Sequence, residues 1–200
     1  ARNAFFRGIR NAQEIEVETG LNVYSTIPLS AGQDALAAKA AAKQPGLHLL
    51  AVTQPEDQAV ESLRSLRTAL QFAMLDASSN RIIITGATPG VGKSFVSANF
   101  AVLLASTGKR VLLIDADLRK GHLNQYFGVP RPRGLSELVA GTLAAPDVIR
   151  SNLLPNLDLI TTGMLPPNPA ELMTSSAMAA LLEELSGQYD LVLIDTPPVL

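Results

Sequence analysis

Residues 81–94 read RIIITGATPGVGKS, an apolar run followed by a glycine-rich turn that ends in Lys and Ser. Four residues separate Ala87 from Gly92, so the segment has the [AG]-x-x-x-x-G-K-[ST] spacing of a phosphate-binding loop, with Ala at its first position. Gly90 and Gly92 let backbone N–H groups approach phosphate oxygens, because glycine has no Cβ and adopts positive φ at little cost. The sequence therefore predicts an anion site at this turn.

The residues on either side of the turn predict the strand and the helix that such a loop needs. Residues 82–84 are three consecutive Ile, which favours a parallel strand buried on both faces. Residues 94–106 are apolar nearly all round, as in a helix packed within a larger core. At the start of that helix Lys93 would reach the β- and γ-phosphates, and the Ser94 hydroxyl would ligate Mg²⁺. A strand-to-helix turn without a ligand is the alternative.

Composition narrows the classes of function. A length of 200 residues allows one α/β domain with additional segments. A net charge of −2 and a pI near 5.7 argue against a general nucleic-acid binder. Because the chain has no cysteine, disulfides and thiolate metal sites are excluded. No apolar run reaches the length that a bilayer requires.

The first ten residues, ARNAFFRGIR, differ in composition from the rest. Arg2, Arg7 and Arg10 surround Phe5 and Phe6. Basic residues with neighbouring aromatics are typical of the cytoplasmic flank of a transmembrane helix, which would lie upstream of residue 1. The alternative interpretation is an ordinary basic helix start.

Residues 1–46 are predicted to form a juxtamembrane connector and a linker. A short helix should end near Thr19 and be followed by an extended segment. Residues 31–46 are almost only Ala, Lys, Gln and Gly, with too little bulky apolar surface to pack, which predicts a linker of partial helicity. The main domain should therefore comprise residues 47–200, beginning with an extended apolar run over residues 47–53.

An amphipathic helix is predicted over residues 55–76. Its apolar residues recur at three- and four-residue spacing and form a core stripe: Val60, Leu63, Leu66, Leu70 and Met74. Off that stripe lie Glu61, Arg64 and Arg67. The residue pattern alone favours a solvated face with an i, i+3 ion pair worth tenths of a kcal/mol. A self-association surface is the alternative.

Two further apolar runs end in acidic residues. Residues 111–121, VLLIDADLRKG, predict a buried strand that delivers Asp115 and Asp117, and two carboxylates at i, i+2 project to the same face. Residues 191–194 predict another such strand, ending in Asp195, which matches the acid that holds Mg²⁺ through water in phosphate-loop NTPases. In open parallel sheets ligands bind outside the carboxyl ends of the strands.

The alternation of strands and helices predicts an α/β fold, a mostly parallel sheet with helices on both faces and right-handed crossovers. The other elements predicted are helices near residues 123–127, 136–141 and 175–185, a strand over 156–161 and a proline-rich loop over 163–173.

Together these segments resemble the bacterial tyrosine kinases (BY-kinases) fused to polysaccharide co-polymerases, often called Wzc-like exopolysaccharide tyrosine autokinases. ATPGVGKS is similar to their Walker A motif, VLLIDADLRKG to Walker A′ and LVLIDTPP to Walker B. ESLRSLR resembles the E-x-x-R-x-x-R motif of ring assembly. GLSELVAGTL, LITTGMLPPNPAELM and the connector RNAFFRGIRNAQEIEVETGLNVYSTIPLS also resemble family segments.

The resemblance implies an ATP-dependent protein-tyrosine autokinase of P-loop NTPase-like fold that regulates capsular or exopolysaccharide polymerisation and export. It implies ATP and Mg²⁺ as cofactors, catalytic roles for Lys93, Asp115 and Asp117, and metal ligation by Ser94, Asp115 and Asp195. Either Asp117 or Asp115 would orient the attacking phenol. The nucleotide would lie against Thr88, Pro89, Gly90, Val91, Gly92, Lys93, Ser94 and Phe95.

The implied partners are other copies of the chain, in a ring held by Glu61, Arg64 and Arg67, and the polysaccharide export machinery, with no nucleic acid. The implied location is the cytoplasmic domain of a bacterial inner-membrane protein. The alternatives are a P-loop ATPase switch of the MinD/ParA type and a nucleotide-gated assembly scaffold.

Three departures from the relatives bear on these expectations. The MinD/ParA signature Lys, five residues before the loop Lys, is Thr88 here, which disfavours the switch. His122 stands where proteobacterial kinases often have a regulatory Tyr. The sequence stops soon after the Walker B strand, so we expect a truncated sheet with an unpaired apolar edge and no C-terminal tyrosine cluster.

Overall fold

Five strands form one sheet in the computed structural model, which describes residues 11–199. In chain order they are β1 (Arg81–Ile84), β2 (Val111–Asp115), β3 (Arg150–Leu154), β4 (Leu157–Ile160) and β5 (Leu191–Asp195). Their spatial order is β1-β5-β2-β4-β3, and every pair is parallel except the antiparallel β3–β4 pair. The predicted mostly parallel sheet is confirmed.

Helices cover both faces of this sheet, also as predicted. Within the described residues they are α1 (Ala12–Thr19), α2 (Ala31–Ala41), α3 (Leu50–Thr53), α4 (Gln58–Ala73), α5 (Lys93–Ala105), α6 (Leu123–Tyr126), α7 (Leu135–Val139), α8 (Ala145–Val148), α9 (Pro169–Met173) and α10 (Ser176–Gln188). The two central strands β2 and β5 are buried along their whole length, which is the pattern of a sheet covered on both sides.

Alternate residues of the central strands point into two separate cores. On one face Leu113 of β2 and Leu193 of β5 pack in the cluster that contains α4 and α5. On the other face Leu112 and Ile114 of β2 pack in the cluster that contains α7 and α10. The two-residue period of a strand explains this division, since successive side chains point to opposite faces.

The core stripe predicted for α4 is confirmed. Val60 and Leu63 are fully buried, and the remaining three members pack against the same core. The helix begins later than predicted, because the Asp57 side chain accepts a hydrogen bond from the N–H of Ala59 and caps the helix there.

Residues 31–46 were expected to be a partly helical linker, whereas α2 is a capped helix that packs on its neighbours. Ser30 accepts from the N–H of Gln33, and Leu36 is buried against the core that contains α3 and α6. The buried Leu36 and the Ser30 cap thus hold this Ala-rich helix against the domain. The domain boundary at residue 46 remains a prediction.

The expectation of a strand buried on both faces is wrong for β1. Within residues 11–199 this strand lies at the lateral edge of the sheet and pairs only with β5, and Ile83 is 65% exposed. The three isoleucines gave the correct secondary structure but could not show which face would be covered.

Further differences concern short elements. Residues 50–53 form the helix α3 where an extended run was expected. Strand β3 was not predicted, and it forms a hairpin with β4 in which Asn156 adopts a φ of 61°. Within the predicted proline-rich loop, Pro169 opens α9, since proline is tolerated in the first helical turn.

The basic stretch of residues 1–10 lies outside the described residues. In the part that is described, no helix has the length and hydrophobicity needed to cross a membrane.

Candidate functional site

The site is built at the carboxyl ends of β2 and β5. These two strands are parallel neighbours whose register places Asp115 directly beside Asp195. Both side chains are almost completely buried. The motif residues therefore meet at one edge of the sheet, as the strand-end argument predicted.

The glycine-rich turn between β1 and α5 has the backbone that an anion site requires. Gly90 and Gly92 have φ values of 79° and 89°, and open space surrounds the position of a Cβ at each. Within residues 11–199 none of the N–H groups of Ala87, Thr88, Gly90 and Gly92 donates a hydrogen bond, and Pro89 has no N–H. These groups lie before the N-terminus of α5, where unpaired N–H groups and the helix dipole favour negative charge.

Asp195 organises the polar groups beneath this turn. Its carboxylate accepts hydrogen bonds from Lys93 Nζ at 2.9 Å, from Ser94 Oγ at 2.8 Å and from Ser97 Oγ at 2.8 Å. The side chains of Lys93 and Asp195 are 9% and 1% exposed, so this is a buried ion pair whose desolvation is offset by additional hydrogen bonds.

Ser97 is a site residue that sequence reasoning missed. It lies four residues after Lys93 in α5 and therefore on the same helix face, which was the available signal.

Asp115 occupies a tighter environment. Burial raises its pKa to about 6, and the hydrogen bond from the Leu123 N–H at 2.9 Å opposes that rise. A Cβ at Gly121 would lie 1.9 Å from Thr162 Oγ1 and 2.5 Å from Asp115 Oδ1. Glycine is thus required at position 121 for the loop after β2 to pass this close to the carboxylate.

Asp117 differs from Asp115 because it lines the open pocket. Its Oδ1 accepts from the N–H groups of Arg119 and Lys120, a local turn that fixes the carboxylate. Thr162, whose hydroxyl oxygen is fully buried beside Asp115, was not predicted from the sequence.

A pocket of about 630 Å³ opens above these groups, a volume within the usual range for small-molecule sites. Of the eight residues predicted to contact a nucleotide, seven line it, and Val91 does not. The Val91 side chain instead packs beside Gly86. Lining residues that were not predicted are Arg119, Lys120, His122, Tyr126, Pro197, Pro198 and Val199.

The donor set fits a magnesium nucleotide. Residues 11–199 contain no cluster of three or more acidic or histidine side chains able to hold a metal ion by themselves. Mg²⁺ usually keeps several waters and binds through one or two carboxylates together with substrate phosphates. Ser94, Asp195 and the adjacent Asp115 would supply the protein part of such a shell.

The charged residues of α4 lie apart from this pocket. Arg64 pairs with Glu61 one helical turn away, and 64% of the Glu61 side chain is exposed. Arg67 instead donates from Nη1 to the Leu103 carbonyl of α5 at 3.1 Å. Of these three charged side chains, therefore, only Arg67 is hydrogen-bonded to another element within residues 11–199.

Three comparisons place the chain among known proteins. A family model described as an AAA domain matches residues 79–200. Over 199 residues the chain is 54% identical to a putative tyrosine-protein kinase EpsB of Ralstonia solanacearum, and over 203 residues it is 44% identical to the tyrosine-protein kinase wzc of Salmonella typhimurium. Each alignment covers 100% of this chain but only 26% and 28% of the relative, so the chain spans about a quarter of their length.

Solved structures agree with these sequence matches. The BceF tyrosine kinase domain superposes with a TM-score of 0.88 at 48% identity, covering 96% of this chain and 78% of that one. The kinase domain of Escherichia coli ETK gives 0.86 at 42% identity, covering 96% and 74%. The septum site-determining protein MinD of Pyrococcus horikoshii, complexed with Mg-ADP, is more distant, with a TM-score of 0.53 at 28% identity over 61% of this chain and 50% of that one.

Proposed function

This chain belongs to the bacterial tyrosine-protein kinase family, and on that premise we propose that it transfers the γ-phosphoryl group of ATP to tyrosine. The observation that supports the proposal is that a phosphate-binding loop lies beside Asp115, Asp117 and Asp195 at the carboxyl ends of β2 and β5. Phosphoryl transfer needs positioning and charge neutralisation more than covalent chemistry, and this edge offers both.

Each group has a distinct part in this proposal. The N–H groups of Thr88, Gly90, Val91 and Gly92 and the Lys93 ammonium bind the phosphates. Ser94, Asp195 and Asp115 hold Mg²⁺, which supplies charge neutralisation at the transferring phosphoryl group when bound. To bind a phosphate, Lys93 Nζ has to give up or share its 2.9 Å contact with Asp195.

Asp117 is the better candidate for orienting the attacking phenol, a choice that the sequence left open. Its carboxylate lines the pocket, whereas Asp115 lies beneath the pocket and is covered by Gly121, Leu123 and Thr162. A group that positions a nucleophile must come within hydrogen-bond reach of it.

We extend the proposal to the setting of the whole protein. By likeness to the relatives named wzc and EpsB, the chain would form part of the cytoplasmic region of a bacterial inner-membrane protein. It would assemble as a homo-oligomeric ring through Glu61, Arg64 and Arg67 and act with polysaccharide export machinery.

The decisive experiment compares Lys93→Met with Ser97→Ala. Both changes remove one donor to Asp195, but only Lys93 is expected to bind phosphate. We expect Lys93→Met to abolish phosphotyrosine formation and weaken Mg-ATP binding by at least about tenfold, since a charge-assisted contact is worth about 1.5–3 kcal/mol. Ser97→Ala should keep most of both.

Three measurements separate the alternatives. Calorimetry gives the nucleotide affinity, radiolabelled ATP gives the turnover, and an anti-phosphotyrosine blot shows whether phosphate reaches tyrosine. Unchanged nucleotide affinity and turnover in Lys93→Met would contradict the proposal. Phosphate that appears in solution but never on tyrosine would indicate an ATPase switch. Normal polymer export by a Lys93→Met strain that lacks phosphotyrosine would indicate an assembly scaffold.

A further inference from the structure

We propose that Tyr24 is an acceptor of the phosphoryl group, presented by one copy of the chain to the phosphate pocket of another. The inference rests on the proposed kinase activity and names a substrate for it. It starts from residues 21–29, called here the strap, which connect α1 to α2.

The strap is an extended segment with two different faces. Its inner residues Val23, Ser25 and Ile27 are half-buried, whereas Asn22, Tyr24 and Thr26 between them are exposed. This alternation follows from the two-residue period of an extended chain. Tyr24 therefore lies on the outer face, with 52% of its surface accessible.

The inner face holds the strap in place. The Val23 N–H donates to Glu16, the Ser25 hydroxyl donates to the Ser62 carbonyl of α4 at 2.9 Å, and Ile27 packs against the core. No residue of the strap forms a backbone-to-backbone hydrogen bond within residues 11–199. An extended backbone that is not paired with another strand can pair with a further protein surface, which is how peptide segments are commonly bound.

The other two tyrosines are poor acceptors. The Tyr189 hydroxyl donates to Asp158 at 2.8 Å, and burial together with this carboxylate raises the Tyr189 pKa. Tyr126 is half-buried where it lines the pocket of its own copy, and burial raises its pKa to about 12. The Tyr24 hydroxyl makes no hydrogen bond within residues 11–199, so it can approach a phosphorus atom without breaking a contact.

The charges of the two surfaces are complementary. Glu16 and Glu18 lie on α1, which leads directly into the strap, and Glu18 is exposed. Arg119 and Lys120 line the phosphate pocket, in which Lys93 is already paired with Asp195. Attraction between the acidic segment of one copy and the basic pocket of another favours their encounter, and salt should weaken this attraction.

Transfer within one copy is disfavoured by position. Tyr24 is not among the residues that line its own pocket, and its neighbour Ser25 is hydrogen-bonded to α4. In the transfer between copies, the Tyr24 oxygen bonds to the γ-phosphorus, and the bond from that phosphorus to the β–γ bridging oxygen breaks. Nucleoside diphosphate leaves, and the phenolic proton passes to a site carboxylate or to water.

Mixed copies test the inference directly. Full-length wild-type protein and ATP are incubated with an isotopically labelled full-length Lys93→Met copy that can accept but not donate. Trypsin releases residues 11–39 as one peptide in which Tyr24 is the single tyrosine, because no Lys or Arg lies between Arg10 and Lys39. We expect phosphate on this peptide from the labelled copy at about tenfold or more above that on Tyr126 or Tyr189, since only an accessible phenol reaches near-attack distance.

A Tyr24→Phe acceptor copy is the matched control, because Ser25, Thr26 and Ser30 share the peptide. It should lose the peptide phosphate, and a Tyr24→Phe donor should phosphorylate a Glu-Tyr copolymer as well as the wild type does. Copolymer phosphorylation with an unmodified Tyr24 would overturn the inference and leave the kinase proposal standing. Phosphate found on Tyr24 of the wild-type copy alone would overturn transfer between copies. The absence of phosphotyrosine from every acceptor would overturn this inference and the kinase proposal together.

Discussion

At the scale of single residues, Asp115 shows a conflict between function and stability. Burial raises its pKa to about 6 from 3.8, so the ionised carboxylate is disfavoured in the folded chain. Between about pH 4 and pH 6 the folded state binds more protons than the unfolded state. The contribution of Asp115 to the free energy of unfolding therefore falls as the pH rises through that window and stays low above it.

Replacing Asp115 with Asn should therefore stabilise the protein near neutral pH. We expect the free energy of unfolding at pH 7.5 to rise by on the order of 1–3 kcal/mol, while phosphotyrosine formation falls. Urea unfolding of wild type and Asp115→Asn from pH 4 to pH 8 measures the difference, which should shrink toward pH 4. Asp158→Asn, on the neighbouring strand β4, is the control for removing an acid. An Asp115→Asn variant that is less stable than the wild type at pH 7.5 would contradict the expected stabilisation.

The same residues show what a sequence can predict about a site. Motif spacing and strand ends are local properties of the chain, so the sequence could place Lys93, Ser94, Asp115, Asp117 and Asp195 at the carboxyl ends of the strands, and their roles stay predictions. Ser97 and Thr162 were missed because their roles arise from long-range contacts, with Asp195 and Asp115 respectively. Lys93 and Asp195 were both predicted, but not their direct ion pair.

At the scale of elements, Glu137 joins α7 to the loop that follows β4. Its carboxylate accepts from the N–H groups of Arg133, Gly134 and Met164 and from the Ser136 hydroxyl. Burial alone would raise the Glu137 pKa, but these donors together lower it. The side chain thus caps α7 and holds the start of the proline-rich loop.

We expect Glu137→Gln to lower the melting temperature by about 2–4 °C, since the amide nitrogen would face N–H donors and roughly 1 kcal/mol of hydrogen bonding would be lost. Hydrogen exchange should accelerate at the Met164 and Gly134 amides. Because a lowered pKa contributes stability that is lost as the pH falls through it, the difference should disappear in acid, below the ordinary Glu value of 4.5. Glu184→Gln on α10 is the exposed control, and equal melting temperatures for wild type and Glu137→Gln would refute this role.

Arg67 connects two helices, which gives it a structural role besides any role in assembly. Its guanidinium donates to the Leu103 carbonyl near the end of α5, where the helix dipole favours positive charge. We expect Arg67→Ala to cost about 1 kcal/mol of unfolding free energy, whereas Arg64→Ala should cost less because, among the described residues, the Arg64 guanidinium pairs only with the exposed Glu61. Chemical denaturation of both variants checks this, and equal costs would show that the Leu103 contact is not stabilising.

Elements were predictable where periodicity was strong. Strands β2 and β5 and helices α4 and α5 follow from long apolar runs or three- and four-residue spacing. The hairpin strand β3 was not predicted because none of its residues is fully buried and its strand conformation depends on pairing with β4. The exposed face of β1 escaped because coverage is decided by neighbouring elements, not by the strand's own residues.

At the scale of the whole molecule, the open question is whether α4 joins copies into a ring. In a ring, Glu61 of one copy would reach arginines of the next, a head-to-tail contact that closes by rotation. Within one copy Glu61 and Arg64 neutralise each other, so a ring contact must replace or share this exposed pair.

The double variant Glu61→Ala/Arg64→Ala tests this without disturbing Arg67, whose change would also weaken the packing of α4 on α5. We expect the variant to keep its melting temperature within about 2 °C, because exposed pairs contribute under about 1 kcal/mol. Its mass by light scattering should fall to that of a monomer, and phosphorylation between copies should fall with it, since transfer in trans depends on proximity. High salt should partly reproduce this effect in the wild type, because the contact is electrostatic. An unchanged mass for the variant, from a wild type that does assemble, would leave Glu61 and Arg64 as a solvated ion pair and place the ring contact elsewhere.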